Sequence, residues 1–321
     1  MAVPFSVLII GAGNIGAFFD TPQSSAVLSH AHAFTRHPGF LLRGFVDADP
    51  ERAARAAQLW GGTAFGSVEE AFAGGVVDVA VVAVPDEYHY PLLLDLARYP
   101  VKLVFAEKPL AKSAEQGAEI MGLYHRLGIG LAVNYTRRYV PELAGLRAQI
   151  ADGDFGNYLS GTGYYGKGTL HNGSHMVDLV RFLVAEIQGV SVVSRVDDFY
   201  PKDPSCSAVL TLAGGAAFFL QAVDCRSYTV FELDLLFGRK RIRMTDAGFR
   251  VELQEVRDSA RFAGYRNLEV CGTQDTRLGN ALYLAATNIH DHLAEGAALL
   301  CGAEDGYRAL ALCCDLLKAL P

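Results

Sequence analysis

Apolar residues in the first 125 positions come in short unbroken runs, each followed by a stretch of helical periodicity. "FSVLII" runs into "GAGNIG", "LLRGFVD" precedes "PERAARAAQLW", "VDVAVVAV" precedes "YHYPLLLDLA", and "VKLVFAE" precedes "SAEQGAEIMGLYHRL". Runs without polar alternation suit strands covered on both faces. Strand alternating with helix predicts a doubly wound parallel sheet. After "GIGLAVNYTRRY" the pattern changes. A helix is expected from Pro141 through "ELAGLRAQIADG", followed by "YLSGTGYYG", "GVSVVSRV", "SAVLTLAG", "AAFFLQAV", "VFELDLLFG" and "RKRIRMT". These runs, separated by Gly-containing turns, predict antiparallel strands. One helix, "SHMVDLVRFLV", interrupts them, and two helical segments close the chain at about 279–300 and 304–319. The expected architecture is α/β. A doubly wound parallel sheet occupies 1–125, and an α+β domain with a large, mostly antiparallel open sheet and helices on one face occupies 126–303.

Composition narrows the classes. A chain of 321 residues suggests two domains. With 51% hydrophobic and 20% charged residues it can bury a sizeable core. The net charge of -7 and the absence of a basic run argue against a nucleic-acid partner. No membrane span is expected, since the longest later apolar stretch, "VVDVAVVAVP", is too short and contains Asp78. The start lacks a cationic segment, so a cytoplasmic location is expected. Six cysteines, Cys206, Cys225, Cys271, Cys301, Cys313 and Cys314, form no C-x-x-C pair. They read as reduced, mostly core thiols rather than as a zinc knuckle or disulfide framework.

"GAGNIG" follows the first strand and places Gly11, Gly13 and Gly16 in the G-x-G-x-x-G spacing, with Asn14 and Ile15 between them. In that context the glycines supply a tight turn, room for a pyrophosphate and close helix–strand packing, the features of a Rossmann dinucleotide site. The second strand ends at Asp47, whose carboxylate can accept from adenosine ribose hydroxyls and would repel a 2′-phosphate. Asp49 adds charge and no arginine follows immediately. NAD is therefore expected over NADP. Asp47 lies some ten residues further from the glycines than the usual ~20. The excess fits an insertion at 20–29, "DTPQSSAVLS", which reads as a loop or as a cover over the pyrophosphate. The third strand leads into Ala83, Val84 and Pro85, at the strand end where open α/β sheets bind ligands. His89 follows and reads equally as a ligand contact or a core histidine.

The fourth strand ends in Glu107, Lys108 and Pro109, a charged pair and a proline at the edge of an apolar run. Lys108 is expected beside the nicotinamide, with Glu107 at the same edge. Further on, His171 and His175 stand four residues apart, with Asp178 three beyond. A metal site would need both histidines on one helical face, as in H-E-x-x-H. Gly173 lies between them, the inner Glu is absent, and Asn172 reads as an N-cap that starts the helix after His171. No metal is expected.

In that order, "GAGNIG", Asp47, "AVPDEYH", "EKPLA", "NYTRRY" and "HNGSHMVDL" resemble the Gfo/Idh/MocA family, the glucose–fructose oxidoreductase and inositol dehydrogenase group. The resemblance covers nearly the whole chain; "EKP" with the downstream H-x-x-D is its specific part. It implies a Rossmann domain, a second domain whose open sheet forms oligomer contacts, and NAD(P)-dependent oxidoreduction of a sugar or cyclitol. It also implies that the closing helix, 304–319, returns to the nucleotide domain. Lys108 matches the family's substrate lysine, His175 its catalytic histidine and Asp178 its trailing acid. The family often has Asp four residues before that histidine; here His171 stands there, with Asn172 next to it.

The expected reaction is hydride transfer between NAD and a secondary alcohol carbon. His175 takes the hydroxyl proton and Lys108 donates to the same oxygen. His171, Asn172, Asp178, Arg138 and Tyr165 are candidate substrate contacts. Arg138 would hold an anionic group or brace the interdomain surface; the Tyr164–Tyr165 pair would contact a sugar or alternate between core and surface. A homodimer or homotetramer through the second sheet is expected. The competing reading is a non-catalytic NAD-binding sensor on the same fold, motivated by His171.

Overall fold

The computed structural model of the protein describes residues 3–319. The chain divides into two compact units, Met1–Tyr139 with Gly279–Leu310, and Val140–Leu278 with Ala311–Pro321.

In the first unit six strands, β1 (Phe5–Ile10), β2 (Phe40–Val46), β3 (Thr63–Phe65), β4 (Val79–Val82), β5 (Leu103–Ala106) and β6 (Gly130–Val133), form one sheet in the order β3-β2-β1-β4-β5-β6. Every neighbouring pair is parallel. Strands β4 and β5 are wholly buried, as unbroken apolar runs require. The connecting helices are α1 (His30–Arg36), α2 (Pro50–Trp60), α3 (Val68–Ala73), α4 (His89–Leu96) and α5 (Ala114–Leu127). Their starts are written locally. Asp49 accepts from the Glu51 and Arg52 amides ahead of Pro50, and Ser113 accepts from Gln116. The unit runs past the expected boundary at 125, because β6 pairs with β5 and completes the sheet. The run "GLAV" is only four residues long and begins in glycine, which hid this strand in the pattern.

The second unit opens with α6 (Pro141–Ala151) and β7 (Tyr158–Tyr165), then α7 (Ser174–Leu183) and seven more strands. These are β8 (Ile187–Val196), β9 (Ser205–Leu212), β10 (Ala217–Ala222), β11 (Glu232–Phe237), β12 (Lys240–Thr245), β13 (Arg250–Asp258) and β14 (Arg266–Asp275). They form one sheet, β14-β13-β12-β11-β7-β10-β9-β8, antiparallel except for the β7–β10 pair. Its buried face carries Ala208, Leu210, Phe218, Leu220, Leu233, Leu235, Ile242 and Met244. Helix α7 lies close on that face: a Cβ added at Gly163 would fall 2.7 Å from Met176 Sδ. The other face carries charge, with Arg241 Nε 2.8 Å from Asp234 and Arg243 Nη1 3.4 Å from Glu252.

The chain closes with α8 (Ala281–Glu295) and α9 (Ala303–Lys318). Helix α8 belongs to the first unit, where Gly279 O accepts from Val27 N at 2.8 Å and Cys301 O accepts from Val133 N at 3.0 Å. Helix α9 is divided: its residues to Leu310 belong to the first unit and the rest to the second. Five of the six cysteines are buried and Cys271 is exposed; all are free thiols. Among the described residues no helix is long and apolar enough to cross a membrane.

Candidate functional site

The glycine loop is built by close approach. Gly11 has φ +99°, and a Cβ there would collide with the Ala83 carbonyl; a Cβ at Gly16 would strike the Gly11 carbonyl. Gly13 differs: a Cβ there would meet nothing within 4 Å. Packing does not demand this glycine, so the open space above it is room for a ligand. Asn14 and Ile15 begin a wide helical turn, Asn14–Phe18, in which Phe19 N donates to Asn14 O. Beside it lies a cavity of about 440 Å³ lined by Gly13, Asn14, Phe18, Arg52 and Arg55.

Asp47 is fixed next to this loop. Its Oδ2 accepts from Ala12 N at 2.7 Å and its Oδ1 from Asp49 N at 2.8 Å, with the side chain 6% exposed. A glycine cradle with open space and a nearby held carboxylate fits the pyrophosphate and ribose of a dinucleotide. One expectation is modified. Arg52 lies 3.3 Å from Asp47 and 3.5 Å from Asp49, so the acid pair has a cation beside it. The arginine missing from the adjacent sequence arrives one helical turn later.

Ala83 follows β4 with its amide on Ile10 O at 2.8 Å, and Pro85 introduces a short turn, Asp86–Tyr88. His89 is fully buried, with Nδ1 2.7 Å from Pro109 O and Nε2 2.8 Å from Val84 O. It clips the loop after β4 to the loop after β5, which answers the ambiguity left by its position.

Glu107 is likewise held by its neighbours. Its Oε1 receives His30 Nε2 at 2.9 Å and Asn134 Nδ2 at 2.7 Å. Burial alone would raise this carboxyl. Hydrogen bonds and charge from His30, the Asn134 amide and the Lys108 ammonium outweigh burial and hold it below the usual carboxylate range. Lys108, half-buried, follows directly, and its peptide bond to Pro109 is cis. Arg138 is committed within the first unit: its Nη1 lies 2.9 Å from Asp305 Oδ1. That contact holds it as a brace within the unit.

In the second unit the expected helix start is overturned. A wide helical turn, Gly168–Gly173, already precedes α7, and Gly173 is the residue before its first turn. Asn172 caps nothing; its Nδ2 donates to Gly166 O at 3.0 Å. His171 therefore sits inside a helical turn, and His175, partly exposed, is the second residue of α7. His171 Nδ1 lies 2.9 Å from Asp203 Oδ2, and the ring stacks on Tyr200 at 3.8 Å and 11°. Asp178 is 2% exposed and lies 3.7 Å from Arg181, on the buried side of α7. Tyr165 is fully buried. Its hydroxyl accepts from Cys206 N at 2.7 Å and lies 3.1 Å from Thr169 Oγ1, and burial pushes its pKa well up. Tyr165 is thus packed on the covered side of the sheet. Among the described residues no three His, Cys, Asp or Glu side chains converge as a metal cluster would require.

Sequence reasoning missed Asp203, Tyr200 and His30. The segment "DDFYPKDPS" between β8 and β9 did carry a signal, an unusual density of acids, aromatics and prolines in a loop.

Residues 5–135 match the model of an oxidoreductase family with an NAD-binding Rossmann fold, GFO_IDH_MocA. Inositol 2-dehydrogenase of Corynebacterium glutamicum is 30% identical over 162 residues, which is 50% of this chain and 44% of that protein. Levoglucosan dehydrogenase of Pseudarthrobacter phenanthrenivorans is 25% identical over 231 residues, 62% of this chain and 58% of that protein. The chain thus matches about half the length of these relatives. UDP-N-acetylglucosamine 3-dehydrogenase GnnA from Acidithiobacillus ferrooxidans shares the fold over 99% of this chain and 98% of its own, with TM-score 0.79 and 18% identity. With its glycine cradle and its EKP strand end, the segment 5–135 is thus similar to the NAD-binding Rossmann domain of the Gfo/Idh/MocA oxidoreductase family.

Proposed function

We propose that this protein is an NAD-dependent dehydrogenase of a sugar, a cyclitol or a sugar derivative, acting on a secondary alcohol or its ketone. The observation that carries the reading is Lys108, an ammonium at the carboxyl edge of the sheet that also holds the glycine cradle, behind an anchored Glu107. A pure nucleotide binder has no use for a charged donor at that edge. The relatives named for inositol and levoglucosan support the substrate class.

Gly11, Gly13, Gly16 and Asp47 would hold the dinucleotide, which supplies the hydride acceptor. Lys108 donates a hydrogen bond to the reacting oxygen and stabilises alkoxide charge as it develops. Loss of such a donor typically costs ~10²–10³-fold. His175, on the first turn of α7, takes the hydroxyl proton, a role typically worth ~10²–10⁴-fold. NAD would be preferred over NADP because two carboxylates, Asp47 and Asp49, share a single arginine, Arg52, and together would oppose a 2′-phosphate. The working form is a homodimer or homotetramer joined through the open sheet of the second unit.

The test is NADH formation across a panel of sugars, cyclitols and their keto forms. Turnover by at least one alcohol is expected. Lys108→Ala and His175→Ala should each remove most of it while NAD affinity stays nearly intact. Binding without turnover across the panel would instead give the non-catalytic sensor. Loss of activity in His171→Ala with an unaffected His175→Ala would reverse the histidine roles.

A further inference from the structure

His171 stands where the resembled family often carries an acid, and its ring is held in one place. Asp203, its side chain 7% exposed, accepts from His171 Nδ1 at 2.9 Å, from His171 N at 3.0 Å and from Leu170 N at 2.9 Å. A carboxylate held by two backbone amides cannot swing away, so it fixes Nδ1–H and the plane of the ring. Tyr200 covers one face of that ring at 3.8 Å. The His171 side chain keeps 31% of its surface exposed.

Lys167, four residues earlier, repeats the device. Its backbone is left-handed, with φ 64°, and its amide donates to Asp198 Oδ2 at 2.7 Å. Its ammonium lies 5.1 Å over the Phe199 ring and makes no ion pair among the described residues. Phe199 and Tyr200 touch edge to face at 5.1 Å and are 53% and 36% exposed. The 198–203 segment thus offers adjacent aromatic faces to the His171 ring and the Lys167 ammonium and spends its carboxylates on fixing the backbone beneath them. Asp198 also receives Ser205 Oγ at 3.1 Å, so its charge is absorbed locally rather than by Lys167.

We propose that this patch reads an oxyanion on the substrate, and that the protein acts on a sugar or cyclitol bearing a carboxylate or phosphate. The proposal rests on the dehydrogenase reading above. An acid at position 171 would accept from substrate hydroxyls and repel an anion. A histidine there carries no negative charge to repel one, and with the Lys167 ammonium beside it the patch favours a negative group. Asp203 is a positioning residue acting through His171.

The test uses the full chain with NAD. Glucuronate, galacturonate, gluconate and glucose 6-phosphate are compared with glucose and galactose for kcat/KM and for binding followed by NADH fluorescence. At least one anion should exceed its neutral parent by about tenfold or more, as a charge-assisted contact implies, and the margin should shrink at high salt. Uronates and the phosphate separate the two oxyanion sources. His171→Gln and Lys167→Met should each reduce the margin several-fold without weakening NADH binding. Tyr200→Leu should do so in part, and this variant serves if Asp203→Asn fails to fold. The same anions should also move the His171 ring resonances of the NAD-loaded protein, whatever the turnover. Equal use of neutral parents, a margin intact in His171→Gln, or His171 signals indifferent to every anion would overturn the proposal. If those signals respond and no alcohol is oxidised, the anion site stands and the dehydrogenase reading falls.

Discussion

Glu107 shows how a single residue can be placed by charge. Its carboxyl ionises at lower pH in the folded protein than in the unfolded chain, where the value is about 4.3. The stabilisation it gives is therefore complete above that value and is lost as pH falls through the folded one. Glu107→Gln should cost about 1–3 kcal/mol at neutral pH, read from urea midpoints, and the gap to wild type should narrow below about pH 4. A gap unchanged from pH 7 to pH 3 would mean that shape rather than charge is what matters. Asp47 and Arg52 make a second case. Asp47→Ala should narrow the difference between NAD and NADP dissociation constants, whereas Arg52→Ala should widen it, since the arginine offers a 2′-phosphate its counter-charge. Tighter NADP binding in the wild type would overturn the assignment of Asp47. Glycines, Asp47 and "EKP" were legible because their meaning is local. His30 and Asp203 were not, because each meets its partner across 77 and 32 residues of chain.

At the scale of elements, strands buried on both faces announced themselves, and those exposed on both did not. β13 and β14 escaped the pattern because "RVELQEVRD" and "RNLEVCGTQD" are charged and β14 is exposed along most of its length. β3, three residues long, carried too little signal. The insertion at 20–29 proves to be a folded element. Asp20 Oδ2 accepts from Leu28 N at 2.6 Å and from His32 Nδ1 at 2.7 Å, and Oδ1 accepts from Ser29 Oγ at 2.5 Å. The insertion borders a cavity with the end of α2, lined by Pro22, Ser24, His32, Trp60 and Gly61, none of them from the glycine loop. Asp20→Ala strands three donors in a buried setting and should cost roughly 2–4 kcal/mol. A urea midpoint unmoved by the change, with 21–28 still resistant to protease, would show that the loop holds itself by other means.

At the scale of the molecule, the proposed assembly and the order of synthesis are at issue. The open face of the second sheet mixes ion pairs on β11–β13 with an exposed Phe219, 42% accessible, on β10. Self-association through that face predicts that Phe219→Asp lowers the sedimenting mass at micromolar concentration. A wild type that sediments only as monomer would remove the proposal. The expected boundary at 125 falls short of Tyr139, where the first unit's opening segment ends, because contact between distant segments, which periodicity does not register, decides membership. Helix α8 belongs with strands made long before it, and α9 is shared. On a ribosome this has a cost in time. The nucleotide-binding sheet leaves the exit tunnel early, but the segment that receives Val27 N and Val133 N follows only after some 140–170 further residues. At ~5–20 residues per second this is an interval of roughly ten to thirty seconds. During it the nascent sheet lacks its last partner, a natural window for a chaperone to hold the chain and for a stalled product to be degraded.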